Sequence, residues 1–233
     1  MWGFVNCTRY YMSFGVPKVV LFEADLAVRT DEKVGVLIPP GTGKSTIIRL
    51  LAGADHPDSG AVVRDDGGWP LGYSGAFVGT MTGEENIHNI ARLVGLDPLE
   101  MSAFCLEFSE LGDDYFQPLQ LYSNGMRGRL AFAASFAIPA KTYLADEKVG
   151  IGDEKFRDKC AAALADRLRT AGLILVASKP QLTRDICDRH GALIRGKFVM
   201  CASHEEASEL FGASVRESAA DEFEDELASF DLA

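Results

Sequence analysis

Apolar and polar positions alternate unevenly along the chain, and the changes in their period predict the elements. Short apolar runs at Val19-Val20-Leu21-Phe22 and Leu26-Ala27-Val28 make residues 1–30 strands with turns, as in an antiparallel edge region. Lys33-Val34-Gly35-Val36-Leu37-Ile38 is a continuous apolar strand suited to a sheet covered on both faces. Pro39-Pro40-Gly41-Thr42-Gly43 breaks it, and Ser45 to Ala52 follows as a helix with Ile47, Ile48, Leu50 and Leu51, stopped at Gly53. Residues 54–80 are rich in Gly, Asp and Pro, with strand-like pieces such as Ala61-Val62-Val63.

From Glu84 to about Pro118 the spacing of Ile87, Ile90, Ala91 and Val94 predicts helix, continued less regularly by Phe104, Leu106, Phe108 and Leu111. Further helices are expected over Asn124–Ile138, Asp153–Thr170 and Leu182–Asp188. Thr142-Tyr143-Leu144-Ala145 and Leu173-Ile174-Leu175-Val176-Ala177 read as buried strands. Ala192-Leu193-Ile194 and Phe198-Val199-Met200 flank Arg195-Gly196-Lys197 as a hairpin. This order predicts an α/β core with an antiparallel β subdomain and a helical subdomain.

The chain has 233 residues, enough to bury a sizeable core. Its net charge is −11 and no Lys/Arg-rich stretch stands out, which argues against a nucleic-acid partner. Much of the acidity lies in Asp221, Glu222, Glu224, Asp225, Glu226 and Asp231, read as a solvated helix or frayed tail. Five scattered cysteines without a C-x-x-C pair support neither a zinc site nor a disulfide framework, and a reducing compartment fits them. No signal-peptide pattern and no apolar stretch of membrane-spanning length is expected, so other chains would have to cross any membrane this protein serves. His56, His88, His190 and His204 suggest no ligand cluster.

The chemistry begins at Gly41-Thr42-Gly43-Lys44-Ser45-Thr46, between a buried strand and a helix. Phosphates need that context: N–H groups at a helix start point at the anion, and glycines let the backbone approach closely. Lys44 supplies charge for the β- and γ-phosphates, the Ser45 hydroxyl can ligate Mg²⁺, and Thr46 can support the α-phosphate side. Ile38 stands where the full P-loop pattern has its first glycine. Downstream, Tyr143-Leu144-Ala145-Asp146-Glu147 ends a strand in two carboxylates. Asp146 can hold Mg²⁺ through water, and Glu147 can polarise the attacking water.

Leu121-Tyr122-Ser123-Asn124-Gly125-Met126-Arg127-Gly128-Arg129-Leu130 resembles the signature loop of ABC ATPases, in a form similar to that of bacterial capsular and O-antigen polysaccharide exporters. Trp69-Pro70-Leu71-Gly72, Gly79-Thr80-Met81-Thr82-Gly83-Glu84-Glu85-Asn86, Gly152-Asp153 with Phe156 and Cys160, and Arg184 to Asp188 resemble the same group, so that the likeness runs from about Thr8 to Gly196.

The resemblance implies an ABC nucleotide-binding domain of the P-loop NTPase class over residues 1–210, its helical subdomain at about 84–140, followed by an acidic tail at 211–233. It implies ATP and Mg²⁺ as ligands, with Pro40, Gly41, Thr42, Gly43, Lys44, Ser45 and Thr46 as the phosphate loop. Tyr11 would stack on adenine, with a core tyrosine as the alternative. Ser45 and Asp146 would serve the metal, and Glu147 would be the catalytic base. Ser123, Asn124 and Gly125 would cap the γ-phosphate bound by a second ATP-binding subunit, identical or different, and Asp153 would communicate across that dimer. A membrane-spanning permease would complete the assembly at the cytoplasmic face of the inner membrane. Trp69 is either a core or loop aromatic or part of the family's segment; Arg127 and Arg129 either face solvent or set the signature loop.

Two positions depart from the family pattern. Val78 stands where its members carry a glutamine that touches Mg²⁺ and the attacking water, and the chain has no Gln before Gln117. Ser178 stands where they carry a histidine that contacts the γ-phosphate. Valine cannot ligate a metal, and serine is a short neutral donor. Two readings follow: an ATPase subunit that powers polysaccharide export, or a hydrolysis-impaired partner or regulatory module that dimerises on ATP. A P-loop kinase is disfavoured because it gives the Ser-Asn-Gly-Met-Arg segment no task.

Overall fold

The computed structural model describes residues 1–13 and 16–230. In chain order it begins with strands β1 (Trp2–Ser13), β2 (Val16–Val28) and β3 (Lys33–Leu37), helix α1 (Lys44–Ala52), and strands β4 (Ser59–Val63) and β5 (Gly68–Pro70). Helices α2 (Gly83–Val94), α3 (Pro98–Ser109) and α4 (Asn124–Ala137) follow, then strand β6 (Thr142–Asp146) and helix α5 (Glu154–Arg167). Strand β7 (Gly172–Ala177), helix α6 (Pro180–Ile186), strands β8 (Arg189–Ile194) and β9 (Lys197–Cys201), and helix α7 (His204–Phe230) complete it. Asp231 lies outside the described residues, as do the side chains of the acidic run before it. The chain divides into two compact units, Met1–Asp65 with Gly172–Ala233, and Asp66–Ala171.

In the first unit, β1 pairs antiparallel with β2 on one side and β4 on the other. A second sheet places β3 between β7 and β8, parallel to both, with β9 antiparallel to β8. Residues 34–37 of β3 and all of β7 are buried, as their unbroken apolar runs predict for strands covered on both faces. Helix α7 closes one end of this core, setting Ala207, Leu210 and Phe211 against Leu37, Ala192 and Ile194. Helix α6 starts at Pro180, two residues before the predicted start, because proline is well placed at a first helical position, where its missing N–H costs nothing.

The second unit departs from the single helical stretch expected over 84–118. Gly95, at φ 75°, closes α2 in the left-handed conformation. Asp97 then accepts from the Leu99 and Glu100 N–H groups and, with Pro98, starts α3. Two 3₁₀ turns, Gly112–Phe116 and Leu119–Leu121, occupy the remainder. Trp69 lies in a short strand, β5, paired parallel with β6, and its indole N–H donates to Ser135 Oγ at 3.3 Å. Phe108, Phe132, Phe136 and Phe156 form a chain of ring contacts 5.4–6.0 Å apart that joins α3, α4 and α5. Burial pushes the Cys105 and Cys187 thiols up to about 12, so both behave as small apolar groups of their cores.

Candidate nucleotide site

The segment 38–46 leaves the carboxyl end of β3 and turns directly into α1. Its backbone geometry depends on glycine. Gly41 has φ 75° and Gly43 φ 94°, values that residues with a Cβ rarely adopt. A Cβ on Gly43 would also sit 2.6 Å from Val20 Cγ1. Among the described residues, no side chain caps α1 and its first turn carries no acid. The opening N–H groups of the helix and the positive end of its dipole lie at this turn. Lys44 and Ser45 occupy that turn, Ser45 exposed and Lys44 half-buried. Thr46 is buried, and its hydroxyl accepts from Arg49 Nη2 at 3.4 Å. Pro40 is exposed, while the Thr42 N–H closes the turn onto Pro39 O at 3.3 Å.

Parallel pairing brings a second predicted position to the same edge. The Ile38 N–H donates to Ala177 O at 2.9 Å, so Ser178 leaves β7 beside the start of the phosphate loop. The carboxyl ends of adjacent parallel strands are the usual ligand-binding edge of such sheets. Tyr11, on β1, is 37% exposed and is therefore not a core tyrosine. Its cross-strand partner is Lys18, whose Nζ lies 3.8 Å from where a Gly41 Cβ would stand. Sequence reasoning passed over Lys18; an isolated lysine carries no motif, and only the β1–β2 register reveals it. A cavity of about 360 Å³ flanks the loop, lined among others by Val19, Phe22, Pro39, Thr42, Arg195 and Glu217.

In the second unit, Asp146 ends β6 and Glu147 follows at φ 53°, both half-buried. A non-glycine residue in that region is uncommon and aims the side chain away from the course of the strand. The Lys148 N–H turns back to Asp146 O. Ser123 is the N-cap of α4, its Oγ accepting from the Met126 N–H at 3.2 Å, so Asn124 and Gly125 form an exposed first turn. Neither of the following arginines merely faces solvent. Arg127 Nε donates to Leu119 O at 3.2 Å. Arg129 pairs with Asp153 at 3.0 Å and covers the Phe156 ring at 4.4 Å. Asp153 also caps α5 through the Phe156 N–H, which ties the signature helix to the start of α5. Lys159, hydrogen-bonded to Glu110 at 2.9 Å, holds that carboxyl below its ordinary pKa.

Val78 is 45% exposed, yet its backbone is fixed. Asn86, 2% exposed on α2, accepts from the Val78 N–H at 2.7 Å and donates to the carbonyls of Val78, Met81 and Thr82 at 2.8–3.2 Å. A capping box between Thr82 and Glu85 secures the same turn. Asn86 sits inside the family-like segment 79–86, but its role is visible only once the loop folds back on α2. Asn86→Leu removes every one of these bonds. It is expected to destabilise the protein by about 2–3 kcal/mol and to speed amide exchange at residues 78–82, both readable by urea unfolding and hydrogen exchange.

Fold and loop together define a P-loop nucleotide-binding protein of the α/β class, with an antiparallel β part and a helical part. Residues 21–150 match the ABC transporter family. The chain is 40% identical over 191 residues to the ATP-binding protein BexA of Haemophilus influenzae, spanning 82% of this chain and 88% of BexA. It is 36% identical over 209 residues to the capsule polysaccharide export ATP-binding protein CtrD of Neisseria meningitidis serogroup B, spanning 89% of this chain and 97% of CtrD. The ATP-binding cassette MJ0796, solved as a dimer in a post-hydrolysis state with ADP and Pi, shares its fold at a TM-score of 0.70 and 20% identity, over 85% of this chain and 96% of that one. This chain belongs to the ABC transporter family, as one of its ATP-binding ATPase subunits.

Proposed function

We propose that this chain is the ATP-binding subunit of an exporter of capsule-type polysaccharide, working as a pair of such subunits against a permease at the cytoplasmic face of the inner membrane. The observation that carries the proposal is the likeness to CtrD over 89% of the chain, joined to a glycine-shaped loop that opens directly into helix α1. Among the described residues, no helix is long and apolar enough to cross a membrane; in this reading the permease supplies the spans.

In this assignment residues 40–46 bind the phosphates, with Lys44 as the charge and the α1 amides as donors. Tyr11 stacks on the base. The donor set proposed for the metal is the Ser45 hydroxyl and the Asp146 carboxylate, hard oxygens that suit Mg²⁺. The ion supplies neutralisation of charge on the β- and γ-phosphate oxygens. Glu147 orients and polarises the attacking water. Ser123, Asn124 and Gly125, at the exposed start of α4, cap the γ-phosphate held by a partner subunit. ATP then joins two subunits and its hydrolysis releases them. Val78 and Ser178 favour a second reading, in which the chain binds ATP and dimerises while a partner carries most of the hydrolysis.

Deleting the gene from its host is expected to leave capsule-type polysaccharide inside the cell, with export restored by the unaltered gene and not by Lys44→Ala. Normal surface polysaccharide in the deletion strain would contradict the export assignment. Lys18→Met is expected to raise the Kd for MgATP about three- to tenfold, because a partly solvated cation beside a phosphate contributes less than Lys44. Isothermal titration measures it, and an unchanged Kd would remove Lys18 from the site.

A further inference from the structure

The stretch of β1 that delivers Tyr11 is irregular. Its pairing with β2 slips between Cys7 and Arg9 and again between Arg9 and Tyr10, where Arg9 faces Leu21 but Tyr10 faces Val19. A ladder broken this way bends the strand and re-aims the residues that follow, here Tyr10 and Tyr11. Another set of bonds holds this stretch. Arg9 Nη2 grips Asp55 at 3.1 and 3.3 Å, and its Nη1 donates to Asp58 Oδ1 at 3.1 Å. The other oxygen of Asp58 accepts the Tyr10 N–H at 2.9 Å, and the Asp58 N–H donates to Thr8 O at 2.9 Å. The three charged side chains are only 19–29% exposed, a setting in which forked arginine–carboxylate pairs give geometric definition as well as energy.

The far end of this network reaches the phosphate loop's own helix. Arg49 of α1 lies 3.7 Å from Asp55 Oδ2 and donates to Thr46 Oγ1. Asp55 and Asp58 belong to the connection between α1 and β4, so one short segment holds both the strand carrying Tyr11 and the helix that begins at Lys44.

We infer that Arg9, Asp55 and Asp58 are positioning residues that set Tyr11, at the base end of the nucleotide, at a fixed reach from the phosphate-binding turn of α1. This rests on the nucleotide reading above and goes beyond it by naming what registers the two ends of the site. The spacing between base and phosphates in a nucleotide is bounded by its ribose, so a tyrosine held in advance binds the base without a further ordering cost.

The test compares MgATP with magnesium tripolyphosphate, a ligand that has the phosphates and no base. In Asp58→Ala, the Kd for MgATP is expected to rise about tenfold, the scale of one lost base stack, while the Kd for tripolyphosphate stays within about twofold of the unaltered chain. Tyr11→Ala is expected to show the same split, and the double variant to be no worse than Tyr11→Ala alone, the non-additivity of residues that act through one another. Asp58→Asn keeps an acceptor for the Tyr10 N–H and is expected to fall in between; if the alanine variant fails to fold, the asparagine variant decides by the same split. Unchanged MgATP affinity, or parallel loss of both ligands, overturns the inference. Failure of the unaltered chain to bind either ligand overturns the nucleotide reading itself, and this inference with it.

Discussion

Gly43→Ala is expected to remove measurable MgATP binding and to lower stability by about 2–4 kcal/mol. Two independent terms act at this residue. The backbone stands at φ 94° and ψ 28°, where an L side chain costs about 1–2 kcal/mol. The new methyl would also lie 2.6, 2.9 and 3.3 Å from three atoms of Val20, a fully buried side chain. The loop must shift to accommodate it, and the N–H groups proposed to bind the phosphates shift with it. Lys44→Met separates geometry from charge. It leaves the glycines in place and is expected to weaken MgATP about 10–100-fold, the range for a lost charge-assisted hydrogen bond, with a smaller effect on stability. Thermal unfolding beside isothermal titration checks both variants. Full binding by Gly43→Ala would mean that the conformation of this loop is not what recognises phosphate.

The second large effect concerns rate. The unaltered chain is expected to hydrolyse ATP slowly in single turnover, and Val78→Gln with Ser178→His to accelerate it by up to about 10²–10³-fold. Under the proposed assignment the two losses concern one reaction and need not multiply. Val78 is well placed for the exchange. Asn86 holds its backbone while its side chain is 45% exposed, so a glutamine enters without repacking a core. Ser178 sits half-buried at the end of β7, next to the strand that feeds the phosphate loop. Glu147→Gln is expected to abolish hydrolysis in either background while retaining ATP binding, because it removes the proposed base and leaves the proposed phosphate contacts. Brisk hydrolysis by the unaltered chain would contradict the assignment of slow chemistry to Val78 and Ser178, and would favour a self-sufficient ATPase over an impaired partner.

What the sequence revealed and what it hid divide along physical lines. Strands β3 and β7 were legible because a run of apolar residues with no polar break has few alternatives once it is bounded by Pro and Gly. The phosphate loop was legible because strand, glycines, lysine and helix are contiguous. The helical region reads as one piece because apolar residues recur, if less regularly, beyond Gly95 and Asp97, and the cap chemistry that interrupts it there involves only three residues. Strand β5 is three residues long and was missed for lack of any period to detect. The supporting residues were hidden for a different reason. Asn86 acts on Val78 eight positions away, and Arg9 on Asp55 and Asp58 nearly fifty away. Such partners are set by the folded course of the chain, and nothing in local spacing marks them. Arg129 is an intermediate case: its place after the signature turn was noticed, but its pairing with Asp153 needed the packing of α4 beside α5.

The central claim is that residues 41–46 grip the phosphates of ATP with magnesium at the opening of α1. Isothermal titration of the purified chain with MgATP tests it directly. Saturable binding at one site per chain is expected, reduced in Lys44→Met and absent in Gly43→Ala. No binding by the unaltered chain at millimolar MgATP, or equal binding by all three proteins, would contradict it.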